Sequence, residues 1–161
     1  MIKKASSILF LAFLASCASP DKLYQPTIAG PAAKIKFDTA ATVPTRHNYI
    51  YTDSSCSQRS EVIDREWTDI PAGKPVHVAQ SLATNWISFY QVCALDMEFI
   101  PEPGASYETF YSARRVPGAQ SQAQCTIELV KVSADNKKTP AEFTKLPSCG
   151  GSTGNQIKRA N

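Results

Sequence analysis

The chain has 161 residues, of which 17 are Lys or Arg and 14 are Asp or Glu, with 43% hydrophobic residues. That length supports one domain with a real core. The formal charge of +3 comes without a clustered basic face, so a nucleic-acid footprint is set aside. Arg114-Arg115 and Lys137-Lys138 are short pairs, read as a strand end and a turn.

The chain opens Met1-Ile2-Lys3-Lys4, runs through the apolar stretch Ile8 to Leu14, and reaches the small residues Ala15 and Ser16. Positive start, short apolar run and small-residue exit make a secretory signal peptide over residues 1–16. The apolar run falls short of the roughly 20 residues that cross a bilayer. Leu14-Ala15-Ser16-Cys17 resembles the lipobox of bacterial lipoproteins. The resemblance implies cleavage before Cys17, a diacylglycerol on its thiol, and a further acyl chain such as palmitate on the new amino terminus. Several acyl chains anchor stably where one does not. Ala18 stands where Asp would mark retention at the inner membrane in that class. The resemblance therefore implies an outer-membrane lipoprotein facing the periplasm. Loss of Lys3 and Lys4 leaves 15 basic against 14 acidic residues, so the mature protein is nearly neutral.

Residues 17–33 follow as a lipidated cysteine and a Pro-rich flexible tether, able to reach roughly 50 Å at about 3.3 Å per residue. Short strands with turn punctuation come next. AKIKF alternates Ala33, Ile35 and Phe37 against Lys34 and Lys36, and HNYIYT is aromatic and β-branched. SEVIDREW reads as a strand or irregular edge, and DIPAGKPVHVAQ as strand, turn and strand. QSLATNWISFYQV reads as an uncertain connection with room for one helical turn. VCALDMEFIP alternates again until Pro101 and Gly104 break it; SYETFYSAR and CTIELVKVS are further strands, and TPAEFTKLP closes the domain. About seven strands at this spacing predict an antiparallel β-sandwich over residues 34–149, immunoglobulin/transthyretin-like, with a mobile tail over 150–161. Pro75, Pro140 and Pro147 belong at edges or strand ends, because proline donates nothing to a ladder.

Cys56, Cys93, Cys125 and Cys149 remain after Cys17 is assigned to lipid. An even count in an exported chain predicts two disulfides. The absence of CxxC spacing argues against zinc or a thioredoxin-like redox motif. Cys125 and Cys149 are equidistant from Lys137, in the turn of the expected last hairpin, and Cys56 and Cys93 from Lys74. This symmetry favours the pairs Cys56–Cys93 and Cys125–Cys149, with a second connectivity open in principle. Phe99, Pro101, Gly104 and Tyr107, followed by the segment Cys125 to Cys149, resemble a pattern in small proteobacterial lipoproteins. That resemblance implies fold and no activity.

No catalytic constellation emerges. His47 and His77 have no motif partner, and Ser54, Ser55 and Ser112 lie outside any GxSxG elbow. Alternation puts His77 on a polar face, and Asp96 with Glu98 on a solvated outer face opposite Leu95 and Met97. No metal, phosphate or cofactor site is expected. Trp86, Phe89 and Tyr90 are the candidate interface, since aromatics concentrate at protein contacts. The expected role is a non-enzymatic binding or structural accessory of a cell-envelope assembly, held by the membrane and a protein partner. The alternative is a periplasmic inhibitor of a lysozyme-type enzyme.

Overall fold

The computed structural model describes residues 22–39, 45–51, 56, 58–86, 89–115, 123–147, 149 and 156–159. Residues 1–21, over which the signal peptide and lipobox are expected, lie outside the described residues, as do 52–55 and 116–122. Twelve strands are present among those described: β1 (Lys22–Leu23), β2 (Ala32–Thr39), β3 (Thr45–Tyr51), β4 (Arg59–Val62), β5 (Trp67–Pro71), β6 (Val76–Trp86), β7 (Phe89–Phe99), β8 (Ser106–Arg115), β9 (Ala123–Val132), β10 (Lys138–Pro140), β11 (Thr144–Leu146) and β12 (Gln156–Arg159). Among these residues no helix is long and apolar enough to cross a membrane.

The strands form two sheets. The larger has the order β1-β4-β3-β6-β7-β11, with β12 also pairing β7; the smaller has the order β10-β9-β8-β2-β5. The expected all-β sandwich is therefore present, with more strands than the seven or so expected. The pairing is also mixed, because β2 runs parallel to β8 and β1 parallel to β4.

Alternation explains the core. Ala33, Ile35 and Phe37 of β2 are buried, and Lys34 between them is exposed. With Ile70, Tyr107, Tyr111, Ile127 and Leu129 they cover one sheet's inner face. Ile50, Val62, Val76, Val78, Met97 and Phe99 cover the other, and all belong to one cluster. Successive side chains of a strand point to opposite faces, so one alternating set suffices to fill the space between sheets.

The chain changes sheet at its turns. Gly73 and Gly104 adopt positive φ of 76° and 73°, which glycine reaches without a Cβ clash. The amide of Gly73 donates to the Pro101 carbonyl (2.8 Å) and that of Gly104 to the Ala32 carbonyl (2.7 Å). Pro140 sits on edge strand β10, and Pro75 and Pro147 flank β6 and β11, where no ladder needs their missing N–H.

Four expectations are corrected. Residues 22–31, read as part of a flexible tether, lie against the domain. β1 pairs β4, the Tyr24 amide donates to the Glu61 carbonyl (2.7 Å), and the Ala72 amide to that of Pro31 (2.9 Å). Tyr24 also packs on the main core, which offsets the entropy of ordering the segment. Gln156–Arg159, read as tail, pairs antiparallel with β7. The uncertain connection around Trp86 is instead the hairpin of β6 and β7, paired from Val76↔Phe99 to Trp86↔Phe89. Its aromatic and β-branched residues favour the ladder over a helical turn.

The fourth correction concerns the disulfide. Cys56 is bonded to Cys149, not to Cys93, and the Cys125–Cys149 pair does not form. The expected hairpin exists, since Lys138 pairs Val132 and Pro140 pairs Val130. It stops one bond further on, where the Ala141 amide donates to the Leu129 carbonyl (2.9 Å), and the chain then crosses to the other sheet. β11 then pairs β7, Thr144 facing Glu98, and this delivers Cys149 to the far side of the larger sheet. Cys125 is itself disulfide-bonded.

Candidate functional site

The outer face of the larger sheet carries a second, smaller cluster of buried side chains. Register places Tyr51 beside His77 and His77 beside Glu98, then Tyr49 beside Ala79 and Ala79 beside Asp96. Tyr49, Tyr51 and Ala79 pack with Cys56 and Cys149. The segment after β11 and its disulfide close this face. That is why a strand face expected to meet water holds His77 at 5% and Asp96 at 2% side-chain exposure. His77 lies on the outer face, as alternation required. The solvated setting expected for Asp96 is overturned by the covering segment. Glu98, one position from the cover, is half-buried.

Most of the buried polar atoms of the cluster are paired with one another. Asp96 Oδ2 lies 3.2 Å from His77 Nε2 and accepts the Cys149 backbone N–H at 3.0 Å. Sγ of Cys149 is 3.7 Å from the same Nε2. Tyr51 stacks on the imidazole with ring centroids 4.6 Å apart. A buried carboxylate without partners would be costly; two donors at hydrogen-bonding distance make this one tolerable.

The geometry decides what chemistry is open to the cluster. A catalytic triad uses both imidazole nitrogens, one toward the nucleophile and one toward the carboxylate. Here Asp96 and Cys149 both face Nε2, and Nδ1 has no hydrogen-bond partner among the described residues. The ligand atoms of Cys56, His77 and Cys149 lie within 4.8 Å of one another. A cysteine ligates a metal as its thiolate, and in the disulfide the sulfurs of Cys56 and Cys149 are committed to each other. The arrangement is a covered polar joint between the sheet and the C-terminal segment.

Beside it the surface becomes polar and charged. His47 Nδ1 lies 2.9 Å from Glu61 Oε1, both side chains more than a third exposed. His47 stacks on Tyr49, and the Arg59 guanidinium lies 4.6 Å from the Tyr49 ring centre. On the inner face, Gln80 donates to Asn48 (3.0 Å) and Asn48 to Asp64 (3.3 Å). The smaller sheet's outer face holds Glu108 between Lys36 and Lys138, 2.5 Å from each.

The structure brings together Cys56, His77, Asp96 and Cys149. It does not bring Cys56 to Cys93 or Cys125 to Cys149. The side chains of Trp86, Phe89, Tyr90 and Cys93 lie outside the described residues, as does Cys17. The Cys149–Asp96 contact spans 53 positions, and no local pattern announces it.

No protein-family model matches the chain, and neither a curated protein nor a solved structure does. Fold and cluster together define the molecule by architecture: a two-sheet β-sandwich whose larger sheet is closed on its outer face by a disulfide-held C-terminal segment.

Proposed function

We propose that this protein is a lipid-anchored, non-enzymatic accessory of a bacterial cell-envelope assembly, held at the outer membrane and facing the periplasm. One observation carries the reading: Leu14-Ala15-Ser16-Cys17 follows an apolar run and two lysines, the order that exports a chain and acylates it. The Cys56–Cys149 disulfide supports an oxidising compartment. The enclosure of His77 and Asp96 supports a positional rather than a chemical role for that pair. The immunoglobulin/transthyretin-like form of the sandwich and a second bridge, from Cys125 to Cys93, belong to the same reading. The two-sheet all-β architecture and the bonded state of Cys125 support them.

The test is crosslinking in intact cells followed by mass spectrometry, with Cys17→Ala as control. An envelope protein captured by the unsubstituted chain and lost in the control is the expected result. Efficient crosslinking with no envelope partner would refute the accessory role. Membrane retention and acylation of the Cys17→Ala chain would refute the anchor.

A further inference from the structure

Four large hydrophobic side chains are exposed among the described residues: Leu23, Ile63, Trp67 and Ile100. The first three line a single groove with Tyr24 and Val62. Isolated exposed hydrophobics are ordinary on a protein surface; a contiguous group calls for an occupant. Val62, which also lines the groove, belongs to the core, so the groove abuts the packed interior. The groove joins β1, an edge strand of the larger sheet, to β5, an edge strand of the smaller one.

The position of the groove along the chain indicates what covers it. Leu23 is six residues after Cys17, and six residues span at most about 20 Å. An acyl group on Cys17 therefore keeps the groove within that distance of the anchored thiol. The segment that would otherwise lengthen the tether, residues 22–31, is bound to the domain. We propose that the Leu23–Ile63–Trp67 groove seats on the surface of the bilayer that holds Cys17. The inference rests on the lipoprotein reading above.

The chemistry suits a headgroup layer. Tryptophan concentrates at membrane interfaces, where an apolar ring and a polar N–H are both accommodated. Lys36, ion-paired with Glu108, lies 5.0 Å from the Trp67 ring centre, a cation–π contact that holds one face of the ring. Glu66 and Asp69 also line the groove and disfavour a strongly anionic surface. The surface that fits is zwitterionic. The tether holds the domain there, so the groove orients the sandwich and need not bind lipid tightly.

The experiment uses the full acylated chain carrying Trp86→Phe, which leaves Trp67 as the sole tryptophan. It is reconstituted in phosphatidylethanolamine/phosphatidylcholine vesicles with and without bromine on the acyl chains, and Cys17 acylation is read by mass spectrometry on the same sample. Bromine quenches tryptophan on contact. Trp67 should lose most of its emission in brominated vesicles and recover it when Leu23→Asp and Ile63→Asp are added. If Trp86→Phe does not fold, fluorotryptophan in the unsubstituted chain gives the same reading by 19F NMR, with Trp67→Phe assigning the signal. Equal Trp67 signal in plain and brominated vesicles, with Cys17 acylated, overturns the seating and leaves the anchor standing. A sample whose Cys17 carries no lipid overturns both. Protection of Trp67 by a co-purifying protein instead of lipid also overturns the seating.

Discussion

Glu108 shows how a single residue sets a pH limit on the fold. Burial alone would raise its pKa, but hydrogen bonds and charge from Lys138 and Lys36 outweigh it and hold the carboxyl below its ordinary value. Between that lowered value and the unfolded one of about 4.3, the unfolded chain binds more protons. Stability therefore rises with pH through this interval and is lost as pH falls through the folded value. Glu108→Gln should cost about 1.5–3 kcal/mol at neutral pH, in the range for a charged hydrogen bond, because the lysines keep partial solvent access. Urea titrations across the acid range should show a flatter acid limb in the variant. Asp96 behaves differently, since it serves the cover as well as the sheet. Asp96→Asn keeps an acceptor for the Cys149 amide and should cost less than Asp96→Ala. The latter leaves a buried donor unsatisfied at about 1–3 kcal/mol; the difference is measurable by denaturant midpoint.

At the level of elements the disulfide is the feature to test. It joins positions 93 apart, and closing a loop of that size is worth about 4–5 kcal/mol in the chain-entropy account. The Cys56→Ser/Cys149→Ser double variant should lose stability on that scale. Non-reducing peptide mapping should recover Cys56 linked to Cys149, with Cys125 linked to Cys93 once Cys17 carries lipid. The strands themselves were legible. Ala33, Ile35 and Phe37 alternate with lysines, and the turns at Gly73 and Gly104 were marked by Pro and Gly. The hairpin of β9 and β10 was also legible, its turn following Ser133. What local pattern could not supply was the choice of sheet. Nothing in TPAEFTKLP states that β11 leaves the smaller sheet for β7, and the expected cysteine pairing failed at that step. The buried state of Asp96 was hidden for the same reason, since its cover arrives from 53 residues away. The ordering of residues 22–31 was masked by their prolines, which suit an unpaired segment packed on a surface as well as they suit a tether.

For the whole molecule, stability rests on the space between the sheets. Phe37 is 0% exposed on β2, flanked by β5 and β8. Phe37→Ala should cost about 3–5 kcal/mol, read as a shift in denaturant midpoint with little change in slope. The same strand receives any force applied through the N-terminus. A pull on Lys22 first meets two residue pairs of β1 with β4, then the Tyr24 and Pro31 backbone bonds. Beyond these lies β2, hydrogen-bonded on both sides and seated in the core. Resistance is thus graded: a weak seam of ten residues precedes a strong one. Stretched at constant force from its amino terminus, the domain should give an early extension of at most about 33 Å, well below the load that opens the sandwich. Under the anchoring proposed above, this seam would make a short leash with slack in reserve, keeping the domain close to its attachment at rest and yielding a fixed length under tension before the fold is loaded.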